Sequence, residues 1–167
     1  VYLCEDSVEN HAKVALKVLI SENLEDQDIW AKGEYEALTR LRHPNLAKVY
    51  NFGRISSTND YFIVSEFIKG IDLFSATEYL NYEELADILV QICRALEYIH
   101  SQGYVHFDIK PDNILVGDGV VAKLADFGES RHFNKKEARR NSLEGEDALS
   151  MTMVGTKLYC APEVMMM

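Results

Sequence analysis

The apolar positions of this chain change period several times, and each change predicts an element. VYLCE and KVALKVLI are short runs of β-branched and aliphatic residues on either side of the polar stretch SVENH, which predicts two strands joined as a hairpin. From Leu24 to Arg42 the spacing becomes helical, with Trp30, Glu34, Leu38 and Leu41 along one stripe. His43-Pro44-Asn45 closes that helix, because proline pushes the residue before it out of the α region. LAKVYNFGRI and YFIVSEFI, on either side of SSTND, predict a second hairpin. Together these make a small lobe of strands with one helix.

The second half opens with a helix. Asn81 is placed to cap it, with Glu84 three residues on as in a capping box. Leu85, Ile88, Leu89, Ile92, Leu96 and Ile99 form its core-facing stripe, and Gly103 suits its end. VHFDIKPDNILVGDGVVAKLADFGES then reads as short strands and loops. Residues 131–152 are polar and mixed in charge, which predicts a mobile surface loop. The join between the two lobes falls between Glu66 and Asp72, and the fold class expected is α+β.

Composition narrows the function. The chain has 167 residues, 47% of them hydrophobic, enough for one core or for two small lobes sharing one. Its 17 basic and 27 acidic side chains leave a net charge of −10 with no basic stripe, which argues against nucleic-acid or anionic-membrane partners. The cysteines, Cys4, Cys93 and Cys160, are odd in number and far apart, so a reducing, cytoplasmic setting is expected. No apolar run approaches the ~20 residues that span a bilayer, so no membrane segment is expected. The five histidines show no metal-ligand spacing.

Two acidic motifs carry the chemistry. In HFDIKPDN, Asp108, Lys110 and Asn113 share one tight loop, and DFG at 126–128 follows the apolar run VVAKLA. A carboxylate and a carboxamide on one loop, with a second carboxylate about a hairpin later, can converge on magnesium, a hard cation that takes oxygen ligands. A lysine two positions after the first carboxylate can offset the charge that develops on a transferring phosphoryl group.

These motifs, with VALK at 14–17 and GTKLYCAPE at 155–163, strongly resemble the eukaryotic-type protein kinase family, specifically its serine/threonine branch. The resemblance covers essentially the whole chain. It implies a two-lobed kinase-like fold, with a β-rich N-lobe over residues 1–66, a hinge at 67–72 and an incomplete, mainly helical C-lobe over 73–167. It implies ATP and Mg²⁺ as cofactors and protein Ser/Thr hydroxyls as substrates. Lys17 would pair with the α- and β-phosphates, held by Glu34 on the following helix. Glu36 is the competitor, but two residues turn a helix by about 200° and point it away from the core. Asp108 would act as catalytic base, Lys110 would steady the γ-phosphate, and Asn113 and Asp126 would bind magnesium. Thr156 would contact the catalytic loop from the substrate-docking segment. Glu66 and Ile68 would present backbone groups to adenine, with Val1 and Ala15 as roof and Leu115 as floor. Asp72 would meet the ribose, and the small Ser65 would leave room behind the base. His106 would brace the catalytic loop against Phe127.

Departures from the pattern set further expectations. Phe107 stands where the family usually carries arginine, so no guanidinium is there to pair with an activation-loop phosphate. Within that loop, Ser142, Ser150 and Thr152 are the candidate phosphorylation sites, and the charged run 135–140 reads as loop surface. Val1-Tyr2 resembles the residues just after the glycine-rich loop and little follows APE, so the chain reads as a fragment with further domains in the same polypeptide. In such a fragment Leu85, Ile92 and Leu96 are expected to lie uncovered. Two rival functions use the same fold: a pseudokinase, against which intact Lys17, Asp108, Asn113 and Asp126 argue while Phe107 and the missing glycine-rich loop keep it open, and a small-molecule phosphotransferase, against which GTKLYCAPE argues.

Overall fold

β1 (Tyr2–Asp6) and β2 (Ala12–Leu19) pair antiparallel from Tyr2 opposite Leu16 to Asp6 opposite Ala12, the first expected hairpin. β3 (Val49–Arg54) and β4 (Tyr61–Glu66) form the second, closed by the Ile55 N–H donating to the Asp60 carbonyl at 2.8 Å. β4 also pairs with β2, so the sheet runs β1-β2-β4-β3 and its two interior strands come from different hairpins. These strands belong to a computed structural model that describes residues 1–7, 11–19, 38–58, 60–132 and 156–162. The helix expected over 24–42 lies mostly outside the described residues, but Leu38 and Leu41 of its stripe are buried.

After β5 (Gly70–Asp72) comes one helical turn, α1 (Leu73–Ala76), too short for the apolar periodicity to reveal. α2 (Tyr82–Ser101) begins with the expected capping box: Asn81 Oδ1 accepts from the Glu83 and Glu84 N–H groups, and Glu84 accepts from the Asn81 N–H. Gly103, at φ +82°, takes the left-handed position just past its end. The helix buries Ile88, Ile92, Ala95 and Ile99. Leu89 is a correction to the expected stripe: it is 52% exposed, because it lies one step of about 100° round the helix from Ile88. Ile92 bears the stripe out, buried in one cluster with Ala122 and Leu124, and with Leu85 and Leu96 partly buried against the same core the expectation that these three lie uncovered is corrected.

β6 (Tyr104–Val105) pairs with β9 (Arg131–His132), and β7 (Ile114–Gly117) lies between β5 and β8 (Val121–Leu124). The expected loop at 131–152 therefore begins as a strand, and the remainder of it lies outside the described residues. One apolar cluster spans both lobes, joining Leu38, Val49 and Ile63 to Ile88, Leu124 and Phe127. Two backbone hydrogen bonds reinforce the junction, from Ala47 N–H to Leu124 O (2.8 Å) and from Leu124 N–H to Asn45 O (2.9 Å). No helix among the described residues is long and apolar enough to cross a membrane.

Candidate active site

Alternation along β2 puts Ala15 and Lys17 on one face while Val14 is buried on the other. On β4, Ser65 stands opposite Ala15 and Ile63 opposite Lys17. These four side chains line a cleft of about 340 Å³ between the sheet and the β7–β8 hairpin, within the size range of small-molecule sites. Val1 lines it from β1's end, Glu66 from the last position of β4, Phe67 and Ile68 from the segment after it, and Asn113, Leu115 and Asp126 from the far side.

Asp126 sits in the left-handed region (φ 58°, ψ 74°), which aspartate tolerates better than most residues. That backbone lets Oδ1 accept the Lys17 ammonium at 2.5 Å, across 109 residues of sequence, as well as the Gly128 N–H at 3.3 Å. A Cβ at position 128 would stand 3.1 Å from Lys17 Nζ and 3.2 Å from Asp126 Oδ1, so only glycine leaves this pair uncrowded.

Asp108 anchors a second cluster. Its Oδ1 accepts the Thr156 N–H (3.1 Å) and hydroxyl (2.9 Å), and its Oδ2 accepts from Lys110 Nζ and Asn113 Nδ2, both at 2.8 Å. Lys110 Nζ also donates to Thr156 Oγ1 at 2.8 Å. Burial pushes the Asp108 carboxyl up, but the hydrogen bonds from Lys110, Thr156 and Asn113 outweigh it and hold the group below the usual carboxylate range. The same bond raises the Lys110 ammonium above its ordinary value. Both groups are thus charged at neutral pH.

His106 fills the role expected of it. It is 1% exposed, its ring lies 5.2 Å from that of Phe127, and Nδ1 accepts the Asp108 N–H at 3.3 Å. Nε2 therefore carries the proton and donates to Ala125 O at 3.0 Å, and burial lowers the pKa. Phe107, half-buried, is held at φ 64°, an outlier for an aromatic residue.

Asn113 joins the two clusters, because it lines the cleft and spends its Nδ2 on the Asp108 carboxylate and carbonyl. That leaves Oδ1 as its remaining polar atom, an oxygen on the same cleft as the Asp126 carboxylate. Two such donors suit magnesium, which takes one or two protein ligands and completes its shell with phosphate and water. No group of three His, Cys, Asp or Glu among the described residues could hold a metal by itself.

Asp72 does not line the cleft; its carboxylate caps α1, accepting the Ser75 N–H and hydroxyl at 2.9 Å each, and those bonds lower its pKa. Glu34 lies outside the described residues. Sequence reasoning missed Lys123, whose Nζ meets Glu66 Oε2 at 3.0 Å, and the buried Asn45, which bonds Gln91 on α2. Neither pair has a spacing that signals it.

The chain belongs to the protein kinase family: the model described as "Protein kinase domain" matches residues 1–167. It is 34% identical over 155 residues to serine/threonine-protein kinase TIO of Arabidopsis thaliana, a match covering 90% of this chain and 11% of that protein. It is 35% identical, again over 155 residues, to the maternal embryonic leucine zipper kinases of Xenopus tropicalis and Xenopus laevis, covering 91% of this chain and 22% of each. The chain thus spans between about a tenth and a quarter of the length of these relatives.

Proposed function

We propose that this chain is catalytic machinery of a protein serine/threonine kinase, transferring the γ-phosphate of ATP to Ser or Thr hydroxyls of protein substrates with Mg²⁺. The observation that carries this is the joining of the cleft to the Asp108 cluster through Asn113. The backbone of Glu66 and Ile68 meets the adenine edge, Val1 and Ala15 cover the base, and Leu115 supports it. Lys17 binds phosphate oxygens. Asn113 and Asp126 hold the cation, which supplies charge neutralisation on the phosphates.

Asp108, ionised and held in place by Lys110, Asn113 and Thr156, accepts the hydrogen bond of the attacking hydroxyl and takes its proton. Lys110 balances charge on the moving phosphoryl group, and Thr156 ties the substrate-docking segment to the catalytic loop. Catalysis on this account is positioning and electrostatics. The Lys110–Thr156 bond and the relative named as a serine/threonine kinase support the hydroxyl class.

The test is transfer of label from γ-labelled ATP by the full-length protein to a mixed protein substrate, followed by phosphoamino-acid analysis. Label on Ser and Thr is expected, with Asp108→Asn slower by about 10²–10⁴-fold. No transfer by the wild type, equal transfer by the variant, or label on Tyr overturns the proposal.

A further inference from the structure

We infer that Gln91, on α2 and outside the cleft, is a positioning residue for Asp126; the inference rests on the phosphoryl-transfer function just proposed. Its carboxamide joins three segments. Oε1 accepts the Ala122 N–H at 2.9 Å and Asn45 Nδ2 at 2.8 Å, while Nε2 donates to the Val120 carbonyl at 3.0 Å. Asn45, itself buried, completes the junction by donating from Nδ2 to Ala122 O at 2.8 Å. Three of the four hydrogen bonds a glutamine side chain can make are thus spent on β8, the turn before it and the loop before β3.

Two features say that this junction holds geometry as well as stability. Val120 sits at φ 58°, where a β-branched residue is strained, and strain of this kind persists only when the surroundings over-determine it. The bond from Gln91 to the Val120 carbonyl is one such restraint. Further along β8, Leu124 exchanges backbone hydrogen bonds with Asn45 and Ala47, and Asp126 follows two residues later. Clamping Ala122 from α2 and Leu124 from the N-lobe fixes the strand from which Asp126 turns into the left-handed conformation. Because Asp126 reaches Lys17 from that strand end, a small rotation of β8 displaces its carboxylate within the cleft. Placement errors of this kind cost cation affinity and rate far more than they cost stability.

The experiment compares full-length Gln91→Met, which keeps length and removes all three bonds, with Ile88→Val, a core change that lowers stability without touching them. ATP-induced thermal stabilisation is titrated with Mg²⁺, and amide exchange is read at Ala122 and Leu124. Gln91→Met is expected to raise the half-saturating Mg²⁺ concentration about 10–100-fold and to speed exchange at both amides, while Ile88→Val lowers the Tm and leaves the Mg²⁺ half-saturation at its wild-type value. Gln91→Met that melts lower but keeps wild-type Mg²⁺ half-saturation overturns the inference, leaving Gln91 a purely structural residue. If Gln91→Met does not fold, Gln91→Glu, which keeps the two accepted bonds and loses the donor to Val120, carries the same comparison with a smaller expected shift. Amide exchange separates the two proposals. A wild type without any Mg²⁺-dependent response to ATP refutes the kinase function, whereas unchanged exchange at Ala122 and Leu124 in Gln91→Met refutes the clamp.

Discussion

Replacing Asp126 by asparagine separates the charge of this side chain from its backbone role. The carboxamide has nearly the same size, asparagine tolerates φ 58° as aspartate does, and Oδ1 remains able to accept the Gly128 N–H. What disappears is the negative charge facing Lys17 Nζ at 2.5 Å. The two side chains are 33% and 34% exposed, so solvent screens the pair and its loss costs at most ~1 kcal/mol. In a domain of this size that lowers Tm by about 2–4 °C. On the proposed function the cation would lose the charge of the Asp126 carboxylate, and phosphotransfer is expected to fall about 10²–10³-fold. Asp126→Ala removes the same charge and also forces an unassisted Cβ into the left-handed region, a further cost of ~1–2 kcal/mol. It should therefore melt several degrees below Asp126→Asn with no more activity. Thermal melts and labelled-ATP transfer across a Mg²⁺ titration, both on full-length protein, measure these effects. Wild-type Mg²⁺ dependence in Asp126→Asn, or equal Tm values for the two variants, would refute the reasoning.

Three more expectations follow from the same geometry. His106 is neutral in the fold because burial lowers its pKa, so below the ordinary histidine value of about 6.5 the unfolded chain takes up a proton that the native chain refuses; Tm should fall between pH 7.5 and 5.5, and His106→Gln should flatten that slope. An equal slope in the variant would assign the pH dependence to other groups. Ile88 is 0% exposed in the shared core, so Ile88→Ala should lose about 2–5 kcal/mol in denaturant titration, and a loss within the range of surface changes would contradict its placement. Since Phe107 offers no guanidinium to a phosphate, alanine at Ser142, Ser150 and Thr152 together should leave the phosphotransfer rate of full-length protein little changed, and a dead triple variant would show that another group reads the phosphate.

Local signals were the legible ones. The Asn81–Glu84 capping box spans one helical turn, so its two bonds depend only on residues that sequence order already brings together. The two hairpins were readable for the same reason, and so was the loop bearing Asp108, Lys110 and Asn113, whose contacts with one another span five residues or fewer. α1 escaped because a single turn has no period, and with it the cap that Asp72 makes by accepting from Ser75. Leu89 misled because an apolar residue beside a stripe resembles a member of it until neighbouring elements settle which side is covered.

The sequence by itself determined the chemistry present in this protein: which carboxylates, amides and ammonium groups it carries, in motifs ordered well enough to mark the family. Only the tertiary structure decided that Lys17 meets Asp126, that Asn113 bridges the cleft to Asp108, and that β4 rather than β3 lies against β2. The physical reason is chain entropy. Closing loops of a hundred residues is opposed by a cost that no local propensity covers, and it is offset by burial of one apolar cluster shared between the lobes. The positions of the reactive groups are thus a consequence of how that core packs.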